Sequence, residues 1–382
     1  MFATDRTVLS AQEVDAVGMN IAIVGANGFV GSRMVERWHI NGEHRVVPVV
    51  RGFTSLSRLS RLDLDCKIAD ALNESSLRSA FEGCEIVVHC VQGSAEVIKH
   101  GAAVAYRAAN AAGAKRFIFL SSAAVHGQDA PVGTDETTPL SDKQWHWYNN
   151  AKVFAERTLL AARKKGVTEA VILRPAVIWG PRSGWVANFA ASVMAGNAYV
   201  LNGGTGVLNS VFIDNLIHAV ELALGGQNAD REAFLVRDDE AVTWRDLFEP
   251  ICTALGHPWS DVWDLPSTNV TIPSAGDRVQ ALKSAKVLKA ILPRIPPTIK
   301  RTGVAVIQAW PTPTFASPFA IAPAETPAVS EDILCLQTGT WRFPDEKLRK
   351  ALGYRAEVSF ANGIAKTIDW LRFAGYTVSA NG

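Results

Sequence analysis

The chain has 382 residues, 48% of them hydrophobic and 20% charged, and a formal net charge of +1. So even a balance excludes an electrostatic grip on nucleic acid or on an anionic membrane surface. Five scattered cysteines without a C-x-x-C spacing fit a reduced, cytoplasmic compartment and argue against a disulfide framework or a zinc site, and no metal is expected.

Residues 1–18 read as a charged extension without the apolar stretch of a signal peptide, and Met19 reads as a natural start. No apolar run reaches the ~18–20 residues that span a bilayer. Ile21 to Val24 read as a buried strand. A glycine-rich turn follows. Val30, Met34 and Trp38 then recur at helical spacing, and Asn41-Gly42 closes that helix. "HRVVPVV" reads as a second strand, although Pro48 cannot donate to a sheet ladder. "CEIVVHCV", "KRFIFLSS" and "EAVILRPAVIWG" read as further strands, with the alanine-rich helix "AAVAYRAANAAG" after the first of them. A helix starting at "WHWYNNAK" runs to Arg163-Lys164-Lys165-Gly166, where the cations and the glycine suit a C-terminus and its cap.

Strands alternating with helices predict an α/β fold, a Rossmann-like doubly wound parallel sheet covered on both faces, over residues 19–182. Residues 183–382 form a smaller C-terminal part. "NSVFIDNLIHAVELAL" predicts a short strand entering a helix, and "TWRDLFEPICTALG" a further helix. Residues 257–330 hold eleven of the eighteen prolines and read as an irregular insertion. Its basic stretch "ALKSAKVLKAILPRIPPTIKR" reads as a solvated helix, with contact to a membrane or an anionic substrate as the alternative. "WRFPDEKLRKALGY" and "GIAKTIDWLRFAG" resume ordinary structure, and no internal repeat is present.

The turn Gly25-Ala26-Asn27-Gly28-Phe29-Val30-Gly31 has the spacing G-x-x-G-x-x-G directly between a strand and a helix. That context points to a dinucleotide site. Gly25 turns tightly, Gly28 lets the backbone approach a pyrophosphate, and Gly31 lets helix and strand pack closely. The helix N-terminus that opens there offers its N–H groups to phosphates. An NAD site usually places an acid after its second strand. Here that strand ends in Arg51-Gly52, with no acid before Asp63. A guanidinium bonds a 2′-phosphate that a carboxylate repels, so NADP is the preferred cofactor and NAD the alternative. Asp70 either accepts from the adenine amine or caps the next helix.

Tyr148 and Lys152 stand one helical turn apart and share a face. A free phenol, with a pKa of ~10, is a poor base at neutral pH, and a neighbouring ammonium favours its ionised form. Beside a nicotinamide, such a pair can exchange a proton with a substrate oxygen. Ser122, at the carboxyl edge of the sheet, can orient that oxygen.

The motifs "GANGFVG", "RFIFLSSAAVHG", "YNNAK", "LRPAVIWGP" and "VFIDNLIHAV" together resemble the extended short-chain dehydrogenases/reductases of the NAD-dependent epimerase/dehydratase family. The resemblance covers about residues 19–256 and resumes weakly near 341–372. It implies that Ser122, Tyr148 and Lys152 are catalytic. It implies that Gly25, Gly28 and Gly31, with Asn27, Phe29 and Val30 of the same turn, hold the cofactor's pyrophosphate. Arg51 and Asp70 would meet the adenosine half, Val91 and Gln92 would line the cofactor, and Pro175 would pass near the nicotinamide. The C-terminal part would bind a small-molecule substrate. A homodimer would pair the helices near 101–113 and 148–165.

Three departures narrow the choice. Ala123 and Ala124 stand where the family's dehydratases carry an Asp-Glu pair. Leu208 and Asn209 stand where its nucleotide-sugar epimerases place an arginine against a diphosphate. "FIDNLIHAV" resembles the hydroxysteroid-dehydrogenase and flavonoid-reductase side of the family. Trp145, Trp147, Trp179 and Trp185 lie near the expected substrate side and can form a ring-stacking pocket or simply pack. His126 replaces the tyrosine of the family's "VYG" turn and reads as structural. The first expectation is an NADP-dependent interconversion of a secondary alcohol and a ketone on a non-phosphorylated organic substrate. The second is an epimerase of a sugar or sugar nucleotide that retains NAD. The third is a non-enzymatic sensor.

Overall fold

The computed structural model describes residues 18–269, 327 and 329–378. Six strands in chain order are β1 (Asn20–Val24), β2 (Arg45–Val50), β3 (Lys67–Ile68), β4 (Ile86–His89), β5 (Arg116–Leu120) and β6 (Glu169–Pro175). With a seventh, Ala233–Val236, they form one sheet in the spatial order Ala233–Val236, β6, β5, β4, β1, β2, β3. Every pairing in it is parallel. The chain moves outward from β1 to β2 and β3, then returns to lay β4 on the other side of β1. That reversal is the point outside whose carboxyl ends such sheets bind ligands. The strands read as unbroken apolar runs because both faces are covered, and Ile21, Ala22 and Ile23 are wholly buried.

Pro48 sits inside β2, opposite Ile23. The Val49 carbonyl accepts from the backbone of Gly25 and Ala26, so Val49 faces β1 and Pro48 faces the β3 side. Pairing on that side begins only at Val49 with Lys67. The missing N–H therefore falls where no ladder has started.

The covering helices include α1 (Phe29–Asn41), α2 (Glu74–Ala80), α3 (Ala95–Ala111) and α4 (Trp147–Arg163). Gly42 ends α1 at φ 68°, with its N–H on the Trp38 carbonyl. Ala102, Ala105, Ala108 and Ala109 bring α3 close to the sheet, against Phe117 and Phe119. On α1, Arg33 forks onto Asp214 at 2.8 and 3.1 Å, and Trp38 Nε1 donates to Glu221 at 2.6 Å. Both acids belong to the helix Ile213–Gly225.

Two readings need correction, and one left open is decided. Gly166 is not a left-handed cap; α4 is capped at Lys164. Gly166 is small because a Cβ there would lie 2.7 Å from both the Tyr106 hydroxyl and Asn110 Oδ1. "EAVILRPAVIWG" is two strands, not one. Ala176 still donates to Val236, but Val177 donates to Asn209, and Val177–Trp179 leaves the sheet to pair with Ser210–Phe212. Trp179 faces no pocket. It is fully buried between Phe212 and Phe360, with Nε1 on Asp238 at 3.2 Å.

The chain divides into two compact units. The first comprises Met1–Gly180, Asn209–Glu240 and Trp341–Gly363, and the second Pro181–Leu208, Ala241–Thr340 and Ile364–Gly382. The second unit packs helix Gly184–Met194 on helix Trp244–Ala254 through Trp185 with Trp244 and Phe189 with Phe248. Thr243 and Asp246 form a capping box at the start of the latter helix. Helix Glu331–Thr338 contributes the buried Gln337, which accepts from the Leu201 backbone at 2.8 Å. The basic stretch 281–301 lies outside the described residues.

Candidate active site

At the carboxyl end of β1, Gly25 has φ 89°, and a Cβ there would meet the Cys90 carbonyl at 3.0 Å. A Cβ on Gly31 would come within 2.3 Å of the Gly25 carbonyl oxygen. Both positions therefore require glycine, one for its backbone angle and one for close approach. Gly28 has an ordinary extended backbone and makes a tight turn by donating to Gly25 at 2.9 Å. No side chain caps α1, and Phe29 and Val30 are half-buried at its start. Asn27 Oδ1 is buried without a hydrogen-bond partner among the described residues. An uncapped helix end and a turn kept open by Gly25 and Gly28 fit the pyrophosphate of a dinucleotide, whose oxygens accept from the N–H groups there, whereas Asn27 Oδ1 calls for a donor.

Arg51 is exposed directly after β2 and pairs with no carboxylate among the described residues. Asp70 is exposed after β3, with Oδ1 accepting from the Leu72 backbone at 2.8 Å. It shapes a turn, while the cap of α2 falls to Asn73, whose side chain accepts from Ser76. Val91 is half-buried and Gln92 exposed after β4, and Pro175 is buried as the last residue of β6.

Ser122 stands just beyond β5 and caps a short turn, Ala123–His126, by accepting from the Ala124 backbone at 3.2 Å. Tyr148 lies in the first turn of α4, with its oxygen 3.3 Å from Gln92 Nε2. Lys152 is 1% exposed, and its Nζ donates to the Leu120 carbonyl at 2.8 Å. That nitrogen is 5.9 Å from the Tyr148 ring centre. Burial depresses the Lys152 pKa, and the nearness of Tyr148, Glu156 and Cys90 works against the depression. The structure thus joins Tyr148 to Gln92 by a hydrogen bond and sets Lys152 near the Tyr148 ring. Its lysine is anchored to the strand from which Ser122 leaves.

A buried ionic group below this site is not apparent in the motifs. Arg174 reaches Glu156 through Nε at 3.0 Å and Nη2 at 2.7 Å. Ser121 donates to the same carboxylate at 2.5 Å. Arg174 Nη1 lies 3.2 Å from His126 Nε2. Burial, and then Arg174, push the His126 pKa down to about 4, so the ring is neutral near pH 7 and accepts from the guanidinium. The available signal was spacing: Glu156 stands one turn after Lys152 on one helix face. His89, at the end of β4, is also buried, and neither ring nitrogen has a partner among the described residues. Burial, and then Lys152, lower its pKa to about 3. The Cys90 thiol is pushed up to about 12, chiefly by burial, which makes it an unreactive group.

The departures also have structural positions. Ala123 is packed with Leu235 and Phe343. Asn209 spends its amide on the Trp341 carbonyl and the Phe343 N–H. Trp145 and Trp147 remain 48% and 52% exposed, and the Trp147 ring lies 6.0 Å from that of Tyr148. Trp185 belongs to the aromatic packing of the second unit. Among the described residues no group of three acidic, His or Cys side chains is placed to hold a metal ion. No described helix is long and apolar enough to cross a membrane.

The reversed strand order, the glycine turn and the Tyr-Lys pair at one sheet edge define the class of nicotinamide-dinucleotide enzymes built on a Rossmann-like sheet. The chain belongs to the NAD-dependent epimerase/dehydratase family, whose profile matches residues 21–236. It is 25% identical over 246 residues to a decarboxylating sterol-4-alpha-carboxylate 3-dehydrogenase of Dictyostelium discoideum, covering 60% of this chain and 74% of that one. It is 28% identical over 266 residues to a UDP-glucose 4-epimerase of Vibrio cholerae, covering 65% and 78%. The structure of a Thermotoga maritima UDP-glucose 4-epimerase with UDP-glucose superposes with a TM-score of 0.66 at 19% identity, covering 93% and 99%. At that identity the likeness speaks for the fold.

Proposed function

We propose that this enzyme interconverts a secondary alcohol and a ketone on a largely apolar, non-phosphorylated substrate, with NADP as its preferred cofactor. A bound nicotinamide would supply or accept the hydride. Gly25, Asn27, Gly28, Phe29, Val30 and Gly31 would hold the pyrophosphate, with Val91, Gln92 and Pro175 around the rest of the cofactor. Tyr148 gives the substrate oxygen its proton in reduction and removes it in oxidation. The buried Lys152 ammonium favours the phenolate between these steps. Ser122 orients the oxygen through its hydroxyl.

The observation that carries the reaction type is Lys152, buried to 1% and fixed on the Leu120 carbonyl, with its nitrogen 5.9 Å from the Tyr148 ring centre. The substrate class is supported by the engaged side chain of Asn209, the packed Ala123 and the two exposed tryptophans before Tyr148. Arg51 supports NADP, since its guanidinium stands exposed at the end of β2 without a carboxylate partner among the described residues. The homodimer is supported by α3 and α4, where Phe154 stays 37% exposed beside His100.

A second reading, an epimerase that retains its NAD, is supported by the 28% identity to the Vibrio cholerae enzyme. Titration of the purified protein with NADPH and NADH by nicotinamide fluorescence separates the two. Tight, exchangeable NADPH binding to dinucleotide-free protein is the expected result. Firmly held NAD that co-purifies would overturn it in favour of the epimerase, with Arg51 an ordinary surface residue. Sedimentation of the same preparation at the mass of a single chain would set the dimer aside.

A further inference from the structure

We propose that Gln92 is a positioning residue for Tyr148, donating its side-chain amide N–H to the phenolic oxygen and stabilising that oxygen when it is ionised. The inference rests on the reading of Tyr148 as the acid/base. It assigns Gln92 a role beyond lining the cofactor.

Gln92 leaves the carboxyl end of β4, in the connection to α3, and its Nε2 stands 3.3 Å from the Tyr148 oxygen. Among the described residues the hydrogen bond to that oxygen comes from Gln92 alone. Among the described residues, two titratable groups lie against the phenol ring. Lys152 is 5.9 Å from its centre, on the same helix. His146, at the start of that helix, has its ring 6.2 Å away. The connection from β4 adds a donor without adding a charge.

The difference between the two helpers is physical. Lys152 also donates to the Leu120 carbonyl and acts on the phenol as a buried charge. The depression of its own pKa by burial limits how much more positive charge this pocket can hold. A neutral amide carries no such penalty. A hydrogen bond to an ionised oxygen is roughly twice as strong as one to a neutral oxygen, so the amide favours phenolate over phenol. When the phenol is protonated, the amide can turn and accept from it through its own oxygen. One side chain thus satisfies both ends of the proton cycle. A separation of 3.3 Å is long for the neutral state and has room to tighten as charge develops.

The test uses the full-length protein and needs no substrate. The chain has five tyrosines, so Tyr148 is isolated by subtracting the near-ultraviolet tyrosinate titration of Tyr148→Phe from that of the parent. The same subtraction is made in Gln92→Leu and Gln92→Glu backgrounds. Gln92 is exposed, so neither change removes a packed core residue. The ionisation midpoint should rise by about half to one pH unit in Gln92→Leu, and further in Gln92→Glu, where an anion faces the phenolate. NADPH affinity is measured alongside by nicotinamide fluorescence, because Gln92 also stands among the cofactor residues, and the midpoint shift decides the bond to Tyr148 whatever the affinity does. Coincident midpoints in parent and Gln92→Leu would overturn the proposal. So would a loss of NADPH affinity without a midpoint shift, which would make Gln92 a cofactor contact only. Separately, if Tyr148→Phe oxidised NADPH with apolar ketones as fast as the parent, the acid/base reading would fall. The Gln92 bond would then still be judged by its titration.

Discussion

Both compact units have apolar cores, and they differ in what is added to them. In the first, the helix that carries Tyr148 and Lys152 is pinned to the sheet by buried charge. Glu156 and Arg174 side chains are 3% and 6% exposed, and the Arg237–Asp345 pair of the same unit is 3% exposed at Asp345 and 9% at Arg237. In the second, Phe189 and Phe248 stack at 3.9 Å and 6°, and Trp185 meets Trp244 at 5.4 Å. Two of its ion pairs, Arg245–Glu249 and Arg372–Asp369, are largely exposed. Ionic forks are directional and fix a helix in both rotation and depth, which a proton-transfer group needs. Apolar stacking is less directional and tolerates volume-conserving exchange.

The largest expected effect comes from breaking the ionic anchor. Glu156→Ala leaves the Arg174 guanidinium buried without its counter-charge, which should cost about 3–5 kcal/mol in urea denaturation. The double change Glu156→Leu, Arg174→Leu should recover much of that loss, because the stranded charge goes with it. If the single change were harmless, the ionic account of the first unit would fail.

A smaller loss is expected from the aromatic core. Phe248→Leu removes a stacked ring but keeps most of the buried volume, so it should cost about 1–2 kcal/mol. NADPH binding should be unaffected. A cost equal to that of Glu156→Ala would erase the contrast between the units.

The smallest effect is one of pH, and it sharpens the comparison. His126 has its pKa lowered from 6.5 to about 4, and His89 from 6.5 to about 3. In both, the unfolded chain takes up a proton before the folded one does. Stability from these rings is therefore complete above pH 6.5 and is lost as the pH falls toward 4 and then 3. His126→Asn should flatten the part of the stability curve between pH 6.5 and 4, as measured by thermal melts across that range. An unchanged slope would remove His126 from the account.

Much of the first unit was legible because its signals are local. Ile21–Val24, the Gly25–Gly31 turn and the Val30, Met34, Trp38 periodicity lie within one strand–turn–helix unit, and each names its own element. Gly25 and Gly31 were read for their backbone needs, and the structure gives the reasons as φ 89° and a 2.3 Å approach. Asp70 was left between two roles, and the cap falls to Asn73 while Asp70 Oδ1 accepts from the Leu72 backbone. Trp179 was left between pocket and packing because a tryptophan at the end of a strand looks alike whether it faces solvent or core. Only its partners Phe212, Phe360 and Asp238, 33 to 181 residues away in the chain, decide the matter.

By itself the sequence determined the run from β1 through α1 to β2, the strands β4 and β5, the helices α3 and α4, the dinucleotide turn and the Tyr148–Lys152 spacing, because each depends on periodicity or on backbone chemistry within a few residues. Tertiary structure alone decided that Lys152 is buried and held by Leu120, that Gln92 meets the phenol, and that Glu156, Arg174, His126 and Ser121 form one group. Those pairings bring together side chains far apart along the chain, and burial, which sets their charges, is a property of the packed whole rather than of any stretch.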